Sequence, residues 1–216
     1  CEKILMVMGE REVSGQEPPK AVAAAMKEAD VLSDNAVTVA YSYIGPVLTH
    51  PIYFDGSIGR AKADLYKTAD EIDEQVDGVS AYVSVNKAVV TQSSAAIPIV
   101  PLYLSILLKV MKEKNVHEEC IQQMYRLVHD RLCNPSGVPV DDKRLIRMDD
   151  YEMESEVQQE VEKIWNEITP ENLTEVADID EYWKEFYEIF GFKIDGVDYG
   201  MDCDIQVQIP SLDSAE

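Results

Sequence analysis

The sequence has 216 residues, of which 46% are hydrophobic, which is enough for one large domain or two small ones and too apolar for a disordered chain. Its 41 acidic and 19 basic residues give a formal net charge of −22, which argues against nucleic acid and anionic membranes as partners. The four cysteines lack CxxC spacing and the three histidines are scattered, so we expect no metal site and a reduced, intracellular chain.

The first predicted elements follow an irregular segment over residues 1–17. The alanine-rich stretch 19–32 predicts a helix, and the β-branched and aromatic run 36–43 predicts a buried strand. Residues 57–76 predict a long helix with Ser57 as its N-cap. A strand followed by a helix is the beginning of an α/β pattern.

A second predicted strand over 80–90 runs into a polar loop over 91–98. The alternation of strands and helices predicts parallel strands in an α/β fold. Open α/β sheets bind ligands in the loops at the carboxyl ends of their strands. We therefore expect the loop 91–98 to lie near a ligand.

The second half of the chain is predicted to be mostly helical. Its predicted elements are helices over 101–115 and 116–132, a loop with a short hairpin over 134–150, an amphipathic helix over 151–168, a helix with Thr169 as N-cap and a helix over 180–190. The stripe of Trp183, Phe186, Tyr187 and Phe190 indicates a core or docking face. Cys120 is expected to be a small buried apolar group.

Acidic residues concentrate in the last third of the chain. Residues 141–216 carry 23 Asp or Glu against 6 Lys or Arg, whereas residues 1–140 carry 18 against 13. We interpret this third as a solvated anionic surface. We expect this acidic surface to face away from any anion-binding pocket. The basic residues expected beside the pocket are Arg60, Lys62, Lys67 and Lys87.

The stretch YFDGSIGRAK places Tyr53 nine residues before Lys62. On one straight helix this separation puts the two side chains on roughly opposite faces. Gly56 and Gly59 permit a turn that folds the phenol back towards the ammonium group. A nearby cation favours the ionised phenol and makes it a better proton donor near neutral pH. By spacing alone, a packed ring and a solvated lysine remain the commoner arrangement.

No glycine-rich phosphate loop, either GxGxxG or GxxxxGK, occurs in the sequence. A cradle for the pyrophosphate of a dinucleotide is therefore not expected within these residues. No apolar run is long enough to span a membrane.

Six long sequence segments, in the order in which the family has them, resemble the C-terminal part of one enzyme family. This family comprises the trans-2-enoyl-CoA reductases and the related V-type enoyl-acyl-carrier-protein reductases. The segments are VAYSYIGP (39–46), YFDGSIGRAK (53–62), VNKAVVTQSSAAIPIVPLY (85–103), VMKEKNVHEECIQQMYRL (110–127), PVDDKRLIRMDDYEM (139–153) and FGFKIDGVDY (190–199). The resemblance implies NADH-dependent reduction of the 2,3 double bond of enoyl-CoA or enoyl-ACP thioesters in fatty acid biosynthesis.

The resemblance also implies roles for individual residues. Tyr53 matches the catalytic proton donor, Lys62 the lysine that holds the nicotinamide ribose, and Tyr43 a substrate-contacting tyrosine. The segment that lines the nicotinamide matches Val89, Val90 and Thr91. Tyr43 is expected to support Tyr53 with a second hydrogen bond to the substrate.

The fold implied is a partial Rossmann-like parallel sheet of the short-chain dehydrogenase type with a helical C-terminal region, and the N-terminal dinucleotide-binding half is missing. The implied division is a divergent segment 1–35, part of the catalytic domain 36–134, a helical acidic region 135–200 and a flexible tail 201–216. We expect a cytoplasmic or organellar monomer. Alone, this chain should bind NADH weakly and turn over slowly or not at all.

Two other functions remain open from the sequence. The missing phosphate loop and the charge also fit a non-catalytic remnant that serves as an acidic protein-interaction module. The Tyr–Lys pair also fits a short-chain carbonyl reductase that acts on alcohols or ketones.

Overall fold

The computed structural model describes residues 5–8, 19–97 and 99–203, with side chains from residue 20 onwards. The predicted irregular segment 1–17 falls outside these residues except at Leu5–Met8, which form a β-strand and correct the prediction there. The predicted flexible tail 201–216 also falls outside them, apart from residues 201–203.

Four parallel strands form one sheet in the order β1-β2-β3-β4. They are β1 (Leu5–Met8), β2 (Ala36–Ser42), β3 (Val79–Val85) and β4 (Leu145–Arg147). The central pair runs in register along its full length, with Val39 opposite Tyr82. The predicted α/β class with parallel strands is therefore confirmed.

Strand β4 corrects the prediction of a loop with a short hairpin over residues 134–150. Leu145 lies opposite Val83 in a parallel ladder, so this segment extends the sheet rather than folding on itself. The side chain of Asp141 accepts the backbone N–H groups of Lys143 and Leu145, which turns the chain into the strand. The strand lies within the predicted acidic region 135–200, so the sheet extends beyond residue 134.

Nine α-helices are assigned within the described residues. They are α1 (Pro19–Glu28), α2 (His50–Tyr53), α3 (Ser57–Gln75), α4 (Gln92–Ala96), α5 (Val100–Glu113), α6 (Cys120–Arg126), α7 (Ser155–Glu167), α8 (Leu173–Val176) and α9 (Ile179–Glu188). A 3₁₀ turn (Val47–Thr49) precedes α2, and a π-helical turn (Leu127–Leu132) continues α6.

Capping explains where several predicted helix ends shift. Gly56, not Ser57, is the N-cap of α3. The predicted helix 116–132 begins only at Cys120, because Glu119 forms a capping box with Gln122. Asn172 rather than Thr169 precedes α8, and its side-chain oxygen accepts the N–H of Thr169.

The predicted strand over 80–90 ends at Val85, where the backbone leaves the ladder. The N–H of Asn86 still reaches the carbonyl of Ser42, but the N–H of Lys87 donates to the side chain of Gln123, 2.9 Å away. Farther on, the predicted loop 91–98 contains the short helix α4. Thr91 and Ser94 close a capping box at its start.

Helices cover both faces of the sheet and so create its core. Helices α1 and α3 pack on one face, where Ala69 and Ile72 of α3 are buried. Leu127 and Leu132 of the π-helical turn pack on the opposite face against β2 and the residues around β4. A separate cluster joins α5 to α7. Together these layers hold the carboxyl ends of the strands rigidly in place.

One prediction about side-chain burial needs correction. Cys120 is exposed, because it occupies the first position of α6, so the prediction of a buried apolar group is wrong. On α9, Tyr182 is buried and Phe186 partly buried, whereas Trp183 is 43% exposed. No helix among the described residues is long and apolar enough to cross a membrane.

Candidate functional site

Chemically active side chains meet at the carboxyl edge of the sheet, where the loops after β2, β3 and β4 converge. Tyr43 follows the last residue of β2 directly, Ala88 follows β3 by three residues and Glu152 follows β4 by five. Parallel strands place these loops on one edge, which is where open α/β sheets bind ligands.

The turn between α2 and α3 brings Tyr53 and Lys62 together, as the sequence predicts. Tyr53 ends α2, and Lys62 lies on the second turn of α3. The ammonium nitrogen of Lys62 lies 5.0 Å from the centre of the Tyr53 ring, and the lysine is only 4% exposed. Gly59 permits this turn because a β-carbon at this position would collide with the backbone of Phe54.

Tyr43 completes a compact group with these two residues. Its ring meets the Tyr53 ring edge-on, with the ring centres 4.9 Å apart. The ammonium group of Lys62 donates a hydrogen bond to the backbone carbonyl of Tyr43. Gly45 has a φ of +73°, and a β-carbon there would collide with the hydroxyl groups of Thr49 and Tyr43. The three residues singled out by sequence thus lie in one place.

The buried carboxylate of Glu152 is a feature that the sequence analysis missed. Its Oε1 accepts hydrogen bonds from the hydroxyl groups of Tyr43 at 2.9 Å and Tyr103 at 2.6 Å. Its Oε2 accepts the backbone N–H of Ala88 at 2.6 Å. Its sequence signals are its place in the segment PVDDKRLIRMDDYEM and its position after the strand LIR, which the sequence predicts as part of a loop with a short hairpin.

Burial controls the protonation of this group. It raises the pKa of Glu152, while the three donors act in the opposite direction. Burial and the adjacent Glu152 raise the pKa of Tyr43 well above its usual value, so this phenol remains protonated at neutral pH. The expected second hydrogen bond from Tyr43 to substrate is redirected here, because its hydroxyl donates to Glu152.

The segment predicted to line the nicotinamide follows β3 at the same edge. Thr91 is committed to capping α4: its hydroxyl oxygen accepts the N–H of Ser94, and its own N–H donates to the Ser94 hydroxyl. The N–H groups of Val89 and Val90 donate to no other part of the chain that the structure describes. These two N–H groups are therefore available to a carboxamide.

The charged residues expected near the pocket divide into two groups. Lys62 and Lys87 are buried at the site, and Lys87 donates from its ammonium group to the carbonyl of Ala88 at 2.9 Å. Burial lowers the pKa of Lys87. Lys67 and Arg60 are exposed, and Lys67 pairs with Glu71. The acidic last third of the chain, residues 141–216, does not face wholly away from the site, because Glu152 belongs to it and binds Tyr43 there.

Within the described ranges, no group of three or more histidine, cysteine, aspartate or glutamate side chains has a metal-binding arrangement. The chemistry available at this edge is that of three phenols, two buried ammonium groups and a buried carboxylate.

Two family descriptions match almost the whole chain. Residues 7–133 match the trans-2-enoyl-CoA reductase catalytic region, and residues 140–203 match an enoyl reductase FAD binding domain. The first match contains Tyr43, Tyr53 and Lys62, and the second contains Glu152.

Named relatives and a solved structure agree with this match. The chain is 54% identical over 190 residues to a trans-2-enoyl-CoA reductase [NADH] of Ruminiclostridium cellulolyticum, covering 87% of this chain and 48% of the relative. It is 50% identical over 184 residues to an enoyl-[acyl-carrier-protein] reductase [NADH] of Coxiella burnetii, covering 84% and 45%.

The crystal structure of Clostridium acetobutulicum trans-2-enoyl-CoA reductase in complex with NAD superposes with a TM-score of 0.81 at 48% identity. This similarity covers 86% of this chain and 49% of that one. The chain thus spans about half the length of the relatives it matches. On its matched catalytic region and these similarities, the chain belongs to the trans-2-enoyl-CoA reductase family.

Proposed function

We propose that these residues supply the catalytic group of an NADH-dependent reductase of trans-2-enoyl thioesters. The observation that carries the proposal is the convergence of Tyr53, Lys62 and Tyr43 at the carboxyl edge of the sheet. Relatives at about half identity are named as NADH-dependent enoyl-CoA and enoyl-ACP reductases. Residues 36–134 together with β4 would belong to the catalytic part of a Rossmann-like domain, and the rest of residues 135–200 would cover it.

The site suits the nicotinamide end of NADH. In this proposal the N–H groups of Val89 and Val90 bind the carboxamide, and the buried ammonium group of Lys62 binds the ribose hydroxyls. NADH, when bound, supplies the hydride that adds to the β-carbon of the enoyl thioester. The residues of this chain orient the two reactants and exclude water.

Tyr53 is the group proposed to stabilise the negative charge that hydride addition creates. Negative charge moves onto the thioester oxygen as the enolate forms, so a donor aimed at that oxygen stabilises the transition state more than the ground state. The ammonium group of Lys62, 5.0 Å from the ring centre, favours the ionised phenol and therefore proton donation by Tyr53. Tyr43, held by Glu152, fixes the edge of the Tyr53 ring.

The segment matched to a FAD binding domain does not fit a flavin dinucleotide. The first turns of its longest helices carry acids, Glu156 in α7 and both Asp180 and Glu181 in α9. Negative side chains at those positions repel the pyrophosphate that a helix N-terminus would otherwise bind. Of the six basic side chains of this segment, four are paired with carboxylates: Arg144, Arg147, Lys163 and Lys184. We therefore assign no flavin step to this chain.

A steady-state assay tests the proposal on the protein expressed from its complete natural reading frame. We expect crotonyl-CoA to accelerate the loss of NADH absorbance, and Tyr53→Phe to lower kcat by roughly 10²- to 10⁴-fold. The matched control is Tyr125→Phe, because Tyr125 is 67% exposed and stacks on His129, away from the site. If Tyr53→Phe retains the wild-type kcat, Tyr53 is not the proton donor.

Parallel assays separate this function from a carbonyl reductase. The same protein is offered simple ketones beside crotonyl-CoA at equal concentrations. Turnover of ketones but not of the thioester would replace the proposal with the carbonyl reductase alternative. Absence of any NADH oxidation by the complete protein would favour a non-catalytic module.

A further inference from the structure

The Glu152 side chain connects the two sides of the proposed site. One carboxylate oxygen binds Tyr43, which follows β2, and the other binds the N–H of Ala88, which follows β3. Glu152 itself follows β4. Three neighbouring strand ends are therefore joined by a single carboxylate.

We propose that Glu152 is a positioning residue that aligns the substrate side of the site with its cofactor side. Tyr43 touches the Tyr53 ring, and Ala88 directly precedes the segment assigned to the nicotinamide. Movement of the carboxylate therefore displaces both. The inference rests on the proposed reductase function and adds a residue from the segment matched to a different domain.

Burial makes a purely structural explanation insufficient. Glu152 has no exposed surface, and a carboxylate removed from water is costly unless it is paired and hydrogen-bonded. Replacement of such a group by a well-packed apolar side chain often stabilises a protein. The chain instead surrounds Glu152 with donors from two loops and from Tyr103 of α5.

The directions of the hydrogen bonds explain why a carboxylate is required. The N–H of Ala88 can only donate, so the oxygen that faces it must accept. The Tyr43 hydroxyl donates to the other oxygen, so its hydrogen is directed towards Glu152. Only a group that accepts at both ends holds both in these orientations.

The variant Glu152→Gln tests these directions with little change in shape. An amide presents an NH₂ group at one of the two positions, and it either opposes the N–H of Ala88 or forces the Tyr43 hydroxyl to turn round. We expect kcat with crotonyl-CoA to fall roughly 10- to 100-fold, because small displacements of reacting groups carry costs of this size.

The control Tyr103→Phe removes a hydrogen bond to the same carboxylate but leaves Tyr43 and Ala88 bound to it. We expect thermal midpoints to fall similarly in both variants, whereas kcat falls less than about threefold in Tyr103→Phe. Both are measured in the protein expressed from its complete reading frame. Equal losses of kcat in the two variants would show that Glu152 acts through stability alone.

A double-mutant cycle with Tyr43→Phe gives a readout that stability does not move. If Glu152 acts through Tyr43, Glu152→Gln costs at least about threefold less in the Tyr43→Phe background than in the wild type. Strictly additive losses overturn the inference. So does an unchanged kcat in Glu152→Gln when Tyr53→Phe is inactive. If the wild-type protein itself fails to reduce crotonyl-CoA, the proposed function fails instead.

Discussion

The close contact between α3 and the end of α2 makes Gly59→Ala a sensitive test of the site. An alanine β-carbon would overlap the carbonyl oxygen, carbonyl carbon and Cα of Phe54, all of which are backbone atoms. To restore ordinary contact distances, the two segments must separate by roughly 1 Å or more. Tyr53 precedes the displaced residue directly, so its ring must move relative to Lys62.

Two opposing effects determine the size of the change. Alanine in a helix interior is favoured over glycine by about 1 kcal/mol, whereas forced overpacking costs about 1–3 kcal/mol. We expect a net loss of about 1 kcal/mol in the free energy of unfolding. A displacement of about 1 Å at a reacting group costs up to about 100-fold, so we expect kcat/KM to fall roughly 10- to 100-fold.

Steady-state kinetics with crotonyl-CoA and thermal unfolding measure both effects. The control is Gly200→Ala, because a β-carbon there meets only the Asp198 carboxylate at 3.4 Å. The reasoning is refuted if Gly59→Ala keeps kcat/KM within about twofold of the Gly200→Ala value. In that case the turn does not set the Tyr53–Lys62 geometry.

Three further predictions concern titratable side chains that are largely removed from solvent. Lys62→Met keeps the apolar stem but removes the ammonium group near Tyr53, so kcat should fall on the order of 100-fold; unchanged kinetics would contradict its role. Arg126→Met leaves Glu118, whose side chain is 7% exposed, without its bidentate partner, and urea unfolding at neutral pH should show a loss of about 3 kcal/mol; a loss comparable to that of an exposed pair would show that Glu118 is not effectively buried. Burial raises the pKa of Glu185 from 4.5 to about 7 and lowers the pKa of His117 from 6.5 to about 4. As the pH rises from about 4 to about 7, the contribution of Glu185 to the free energy of unfolding falls and that of His117 rises. In the wild type the two trends therefore oppose each other. Compared with the wild type, His117→Gln should lose on the order of 2 kcal/mol of unfolding free energy as the pH rises across this range, and Glu185→Gln should gain; parallel curves for all three proteins would contradict these pKa shifts.

Much of the fold was predictable because its signals are local. The β-branched run that forms β2 and the apolar residues of α3 each show the periodicity of their secondary structure within a few residues. Strand β4 was not predictable, because three residues next to an Asp141 turn carry too little periodicity, and their pairing with β3 spans some sixty residues of chain. The exposure of Cys120 depended on a capping box that shifted the helix start.

The candidate site, like the fold, was predictable from the sequence only in part. The sequence alone singled out Tyr53, Lys62 and Tyr43 as candidates, because they lie in long segments that resemble one family. It also determined that two glycines permit the turn between the first two of them. Glu152 also lies in one of these segments, but nothing in the sequence assigns it a role among the 41 acidic residues. Only the tertiary structure decided that this carboxylate is buried between Tyr43 and Ala88, because burial and hydrogen-bond direction arise where three strand ends meet.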